Sequence, residues 1–183
     1  IDVLTDDMDY IAADRDPRFG NVADSYLGAF MWDDKIESTL TNGDETFGTF
    51  YNSAYNANVV IDNIDDAIGS VLDEQVVRKT RNHIKGEAYA LRAFRYFYLV
   101  NIYAAPYDPA TCATTPGIPV YLETTADDKA YRRVSLEKVY GQIVDDLKKA
   151  IPLLEENPMT TGKTRFSALA ARALLARTYL YMQ

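Results

Sequence analysis

With 183 residues, 48% of them hydrophobic and 25% charged, the chain is long enough to bury one sizeable core and lies outside the composition of disordered proteins. Its net charge of −8 and pI near 4.6, with Lys and Arg scattered among acids, exclude the clustered cations that nucleic acid or an anionic lipid surface would require. A single cysteine, Cys112, and a single histidine, His83, supply neither an internal disulfide nor a zinc site, and there is no apolar run of about 18 residues that would span a bilayer. The acidic opening, Ile1 to Tyr10, is unlike a basic-then-apolar signal peptide. The chain is therefore expected to be either cytosolic or stripped of a targeting segment.

Taken in order, Ile1 to Asp44 carries a short helical pattern at Tyr26 to Trp32 between loop-like stretches broken by Pro17, Gly20, Asn42 and Gly43. Phe47, Phe50, Ala54, Ala57, Ile61, Ile64 and Ile68 then recur at helical spacing, and Gly69 and Ser70 end the run. A second helix is predicted from about Asp73 to Ala104. Ile84, Ala88, Leu91, Arg95, Tyr98 and Ile102 form one of its faces, and Gly86, Ala90, Ala93, Phe97 and Val100 an adjacent one. Two such faces imply a helix between neighbours, with Gly and Ala permitting close approach.

The next stretch, to about Arg133, is rich in proline (Pro106, Pro109, Pro116, Pro119) and too long for an ordinary connection, so it either packs over the helices or carries function. Cys112 lies within it and reads as a free loop thiol. A third helix starts with Ser135 as N-cap and Glu137 in the first turn. Leu136, Val139, Tyr140, Ile143, Leu147, Ala150 and Leu154 are its buried face, and Pro152 is expected to kink or end it. The fourth begins between Thr164 and Ser167 and continues through the Ala-rich run Ala168 to Tyr181.

Sliding the chain on itself by about 83 residues superposes Asp62, Ala67 and Ile68 on Asp145, Ala150 and Ile151, and Ala88, Leu91, Ala93, Tyr96 and Tyr98 on Ala171, Leu174, Ala176, Tyr179 and Tyr181. One offset serving two helix pairs implies a helix-turn-helix unit used twice, each needing its neighbour to bury a face. Arg92-Ala93-x-x-Tyr96 and Leu175-Ala176-x-x-Tyr179 match the core of the tetratricopeptide pattern, although that repeat has a period of about 34 residues. The expected fold is thus all-α, a tetratricopeptide-like α-α superhelix of packed helix pairs with long loops, in a single domain over residues 1–183.

The run Lys85-Gly86-Glu87-Ala88-Tyr89-Ala90-Leu91-Arg92-Ala93-Phe94-Arg95-Tyr96-Phe97-Tyr98-Leu99 resembles the helix signature of SusD/RagB proteins. Ala57-Asn58, Pro116-Gly117-Ile118-Pro119-Val120, Asp145-Asp146-Leu147, Ala150-Ile151-Pro152 and Ala176-Arg177-x-Tyr179 follow in the family's order, from about Asp44 to Gln183, with Thr5-Asp6-Asp7 ahead of them. The resemblance implies a lipid-anchored protein on the outer face of a Bacteroidetes-type outer membrane. Such a protein binds glycans, or sometimes peptides, and acts as a lid on a SusC-like TonB-dependent transporter. It also implies a piece of a longer protein, because family members carry a lipidated N-terminal Cys and a C-terminal portion that are not in these residues. On this reading the oligosaccharide is bound without a cofactor or catalysis, nucleic acid is not a partner, and any membrane attachment lies outside these residues.

Sugar rings stack their C–H faces on aromatic planes and need polar side chains at the rim. Trp32, with Asn42 and Asp44 downstream and Arg18 upstream, has that chemistry in loop-like surroundings; the alternative is that Trp32 closes the core against the first long helix. Of the 14 tyrosines, Tyr89, Tyr96, Tyr98, Tyr179 and Tyr181 occupy helical positions and read as packing residues, whereas Tyr107, Tyr121 and Tyr131 in the proline-rich stretch are open to a partner. His83 has no Ser or Cys partner in a recognisable motif. The adjacent pairs Asp65-Asp66 and Asp145-Asp146 point apart on a helix, so they cannot flank one glycosidic bond and read as solvated faces. A tetratricopeptide-like scaffold that holds the transporter or a peptide, with ligand specificity elsewhere, is the rival to direct glycan capture.

Overall fold

The computed structural model describes residues 45–67, 73–124, 132–159, 162 and 164–183. The chain divides into two compact units, Ile1–Gly48 and Thr49–Gln183, and nearly all of the described residues belong to the second. Among the described residues the regular elements are α1 (Glu45–Asn63), α2 (Glu74–Tyr103), α3 (Leu136–Glu156) and α4 (Ala168–Tyr181), plus one 3-10 turn at Ile64–Asp66. The architecture is all-α.

Each start is set by local chemistry. Asp73 accepts from the Gln75 N–H at 2.8 Å, Ser135 from Lys138 at 3.4 Å and Ser167 from Ala170 at 3.2 Å, each side chain satisfying a donor that the first helical turn leaves unpaired. α2 stops at Tyr103, with Pro106 three residues on. α1 ends earlier than its apolar period predicts: the α-helix closes at Asn63 and tightens into the 3-10 turn, while Ile68, Gly69 and Ser70 lie outside the described residues. Pro152 does not end α3, which runs on to Glu156. Proline forfeits one ladder hydrogen bond there, and the buried Leu154 just beyond it holds the extra turn against the core.

α1 and α2 are antiparallel neighbours: Phe50 meets Tyr98 edge-on, Ser53 bonds Arg95, and Asp65 pairs with Lys85, so positions fall on α1 as they rise on α2. α2 and α3 are antiparallel by the same test, with Asn101 reached by Tyr140, Arg92 by Asp146 and His83 by Asn157. α4 packs on α3, and Glu155 pairs with Arg172 beside their connection. Two helical hairpins thus stand at the repeat positions, and α2 lies between α1 and α3. All five residues of its small face, Gly86, Ala90, Ala93, Phe97 and Val100, are buried, as are all seven predicted for α3.

Two expectations about exposed faces need correcting. Tyr179, 44% exposed, is not a core residue, because only the Ala171, Leu174 and Thr178 side of α4 is covered; Tyr181, 48% exposed, is a helix-interface residue through its ring contact with Phe97 of α2 at 5.1 Å. Asp146 is not on a solvated face: it is 0% exposed, whereas Asp145 beside it is exposed.

Gly86 shows how closely α2 and α3 approach. A Cβ there would lie 2.9 Å from Leu154 Cγ, 3.0 Å from Leu153 Cβ and 3.2 Å from the Ala150 carbonyl oxygen, whereas at Gly141, within α3, it would meet nothing within 4 Å. Gly86→Ala is therefore expected to destabilise by about 1–3 kcal/mol through overpacking. Gly141→Ala is expected to stabilise by about 0.5–1 kcal/mol through reduced backbone entropy. Thermal melts of the two variants check the contrast, and a lower melting temperature for Gly141→Ala would contradict it.

Candidate functional site

The most constrained chemistry sits where α1, α2 and α3 meet. Arg92 extends from α2, and its Nε and Nη2 donate to the Asp146 carboxylate at 2.8 and 2.7 Å in a bidentate fork, while Nη1 donates to Asn58 Oδ1 on α1 at 2.8 Å. Gln142 Nε2 donates to Asp146 Oδ1 at 2.9 Å. Burial alone would lower the Arg92 pKa; the bonds to Asp146 and its charge outweigh that and hold it above the usual guanidinium value. This ion pair is consumed by structure, with every arm of the guanidinium committed.

The same cluster holds the proline-rich stretch. Asn58 Nδ2 donates to the Tyr121 carbonyl at 3.0 Å, and the buried Tyr96 hydroxyl donates to that carbonyl while accepting from the Tyr121 N–H at 2.9 Å. Tyr51 donates to the Pro119 carbonyl at 2.8 Å, and Tyr55 to Thr124 at 3.2 Å. At the other edge Gly117 N–H donates to Val134 at 2.7 Å, Leu136 N–H to Thr115 at 2.9 Å and Glu137 N–H to Cys112 at 3.1 Å. Gly117 is obligatory in this approach, because a Cβ would sit 2.8 Å from Val139 Cγ2. Ile118 fills the core, so the stretch is a strap packed over the helices. Cys112 is a free thiol, as expected, but buried, with Tyr107 bonded to it; that bond, ahead of burial, pushes the Tyr107 hydroxyl up to about 12. Tyr107 also stacks on Tyr140 at 4.9 Å and Tyr121 on Tyr51 at 5.2 Å, so both tyrosine rings are engaged within the fold.

A concave pocket of about 350 Å³ opens between α1, α2 and the segment leading into α4. Ala57, Val60, Ile84, Ala88, Leu91 and Phe166 give it an apolar lining, and Asn56, Thr164 and the Glu87–Arg165 ion pair stand among the rest of its residues. His83 lies one helical turn from Glu87, its Nδ1 2.9 Å from the Asn157 carbonyl and its Nε2 3.6 Å from Glu87 Oε1. The imidazole ties α2 to the end of α3.

The family model described as "Starch-binding associating with outer membrane" matches residues 6–180 of the chain. The chain belongs to this SusD-like family. A putative sugar binding protein from Bacteroides vulgatus superposes with a TM-score of 0.65 at 28% identity, over 75% of this chain and 29% of that one. A SusD superfamily protein from Bacteroides thetaiotaomicron gives 0.63 at 28%, over 74% and 28%. A laminarin binding SusD-like protein gives 0.57 at 29%, over 74% and 26%. The chain therefore spans under a third of the length of these solved relatives. No curated protein matches it.

Among the SusD-like landmarks, Asn58, Arg92 and Asp146 form the buried polar cluster, Tyr96 bonds the strap, and Pro116 to Val120 is the strap itself. Trp32, Asn42, Asp44 and Arg18, as well as Tyr10 and Tyr131, lie outside the described residues. The cluster and the pocket are the features that reading along the chain does not assemble. An arginine among the buried residues of α2 and a carboxylate beside the apolar stripe of α3 are the signals that would have paired Arg92 with Asp146.

Asp146→Asn leaves the buried Arg92 charge unpaired and is expected to cost about 3–5 kcal/mol, whereas Arg92→Met with Asp146→Leu recovers most of that loss. Denaturant titration of the single and double variants decides it; equal losses in both would show that the pair is worth its full Coulombic attraction. Burial raises the Tyr51 and Tyr96 hydroxyls above their ordinary value. The folded state then retains protons that the unfolded chain releases above about pH 10, so stability falls as pH rises through that point. Tyr96→Phe is expected to lose about 1–3 kcal/mol at neutral pH and to flatten the alkaline decline. Melts from pH 7 to 11 measure both effects.

Proposed function

We propose that the chain is part of a non-catalytic glycan-binding protein of the outer-membrane surface, which captures oligosaccharide and passes it to a SusC-like TonB-dependent transporter. The match to the starch-binding family over residues 6–180 carries this reading, and the laminarin binding SusD-like neighbour supports the ligand class. Of the groups suited by type to acid–base work, Asp146 is buried against Arg92, and His83 is buried with its Nδ1 at the Asn157 carbonyl. Binding asks only for a surface, and a rigid helical frame suits it. Trp32 is the proposed stacking platform, with Asn42, Asp44 and Arg18 at its rim, and attachment to the membrane is through a lipid outside these residues.

A second reading is favoured by α4, where Leu169 is 78% exposed and Leu180 64%. An apolar helix surface of this kind suits a tetratricopeptide-like scaffold that holds the transporter or a peptide, with ligand specificity residing elsewhere.

Calorimetry with laminari- and malto-oligosaccharides separates the two readings. Capture predicts measurable binding that Trp32→Ala weakens at least about tenfold, with the circular dichroism spectrum unchanged. No binding across a broad glycan panel would count against capture and leave the scaffold.

A further inference from the structure

His83 is the one histidine of the chain, and it is buried, 4% exposed, where α2 meets the end of α3. Its Nδ1 lies 2.9 Å from the Asn157 carbonyl oxygen, which can only accept, so Nδ1 carries the proton of the neutral ring. The Nε2 lone pair is left without a hydrogen-bond partner among the described residues, and it faces Glu87 Oε1 across 3.6 Å. Two buried acceptors confront each other there, a mismatch that a proton on Nε2 removes. The carboxylate is already in use: Arg165 Nε donates to Oε1 at 2.8 Å and its Nη2 to Oε2. The two partners are unequal, because the Arg165 side chain is 53% exposed and that of Glu87 11%. The charged groups on the elements around the ring are Lys79 and Glu87 on α2, Glu155 and Glu156 at the end of α3, and Arg165 ahead of α4. Lys79 and Glu156 are exposed and Glu155 is paired with Arg172, so among the described residues Glu87 is the carboxylate within ion-pair reach of the imidazole.

We propose that His83 and Glu87 form a pH-sensitive latch on the segment that leads into α4. With the ring uncharged, Glu87 holds Arg165. When Nε2 takes up a proton from solvent it becomes a donor, and the Glu87 carboxylate turns toward it. One carboxylate then faces two cations. The imidazolium is buried and has no other acceptor for Nε2, whereas water can replace the carboxylate at the half-exposed guanidinium, so Arg165 is the cation released. Thr164, Arg165 and Phe166 form one wall of the pocket between α1 and α2, and the latch sets how firmly that wall is held. Phe166 keeps its edge contact with Phe94, so the segment loosens at Arg165 and stays on α2. The inference goes beyond both readings of function and depends on neither.

The test uses the isotope-labelled protein, whose single histidine assigns its own ring signals. Nitrogen NMR spectra of the imidazole and the arginine side chains are followed from about pH 8 down to about pH 5, the range over which imidazoles change charge. The Arg165 signal is identified by its absence from Arg165→Lys. The expected result is the Nδ1–H tautomer at the start, then a shift of the Arg165 Nε–H signal from its Glu87-bonded position to that of a solvated guanidinium, with the same midpoint as the ring. His83→Asn, whose amide can replace Nδ1–H as donor but cannot take up the proton, should hold the Arg165 signal constant across the range. Should that variant fail to fold, coincidence of the two midpoints in the unaltered chain decides alone. An Arg165 signal that stays in place while the ring charges would overturn the proposal, as would a neutral ring protonated on Nε2 or a ring that stays uncharged down to about pH 5. An Arg165 shift that persists in His83→Asn would overturn it too, since protonation of Glu87 alone would then account for the release.

Discussion

A guanidinium cannot be neutralised by losing its proton in a protein, so burying one forces the surrounding fold to supply its partners. Arg92 is 5% exposed, and its three nitrogens are answered by Asp146 on α3 and Asn58 on α1. Three helices are thereby registered on one side chain. Sliding α3 by a residue would swing Asp146 away, and sliding α1 would remove Asn58. An ion pair this deep adds little net stability over a well-packed apolar substitute, because desolvation offsets most of its attraction. Its consequence is geometric: the hairpins have one arrangement in which the charge is matched.

The strap inherits that arrangement. Asn58 spends its carbonyl oxygen on Arg92 and its amide on the Tyr121 carbonyl, and Tyr96, one turn along from Arg92, brackets the Tyr121 peptide group from the other side. A segment with four prolines across Pro106 to Pro119 has few backbone donors to offer, and side chains from α1 and α2 satisfy its carbonyls instead. Length and proline content alone leave open whether this stretch packs or binds. The phenol and amide groups beneath it decide for packing, at least from Thr111 to Thr124.

Elements governed by near neighbours were legible in the sequence. Asp73, Ser135 and Ser167 cap helices because their partners are two or three residues away, and the seven apolar positions of α3 are buried because periodicity alone puts them on one side. The two-faced character of α2 followed from its small residues. What escaped needed a partner across the chain: Asp146 meets Arg92 at a separation of 54, and Glu87 meets Arg165 at 78. That Pro152 would end α3, one of the two outcomes expected of it, failed for a related reason, since the local penalty is real but the hold on Leu154 is tertiary packing that a local rule omits. The SusD-like resemblance picked out Asn58, Arg92 and Asp146 as landmarks without their role, and the geometry supplies it.

The two hairpins share an offset but not an environment, and that difference bears on where function lies. α2 buries its small face against α3 and meets α1 along another side, and Ile84, Ala88 and Leu91 line the pocket between them. α4 is covered on its Ala171, Leu174 and Thr178 side and leaves Leu169 and Leu180 exposed. In stacked helical repeats each unit contributes both a packing face and a free face, and recognition belongs to the free ones. Here Arg92 is bound to Asp146 and Glu87 to Arg165, so among the described residues the faces left uncovered are the apolar pocket and the far side of α4.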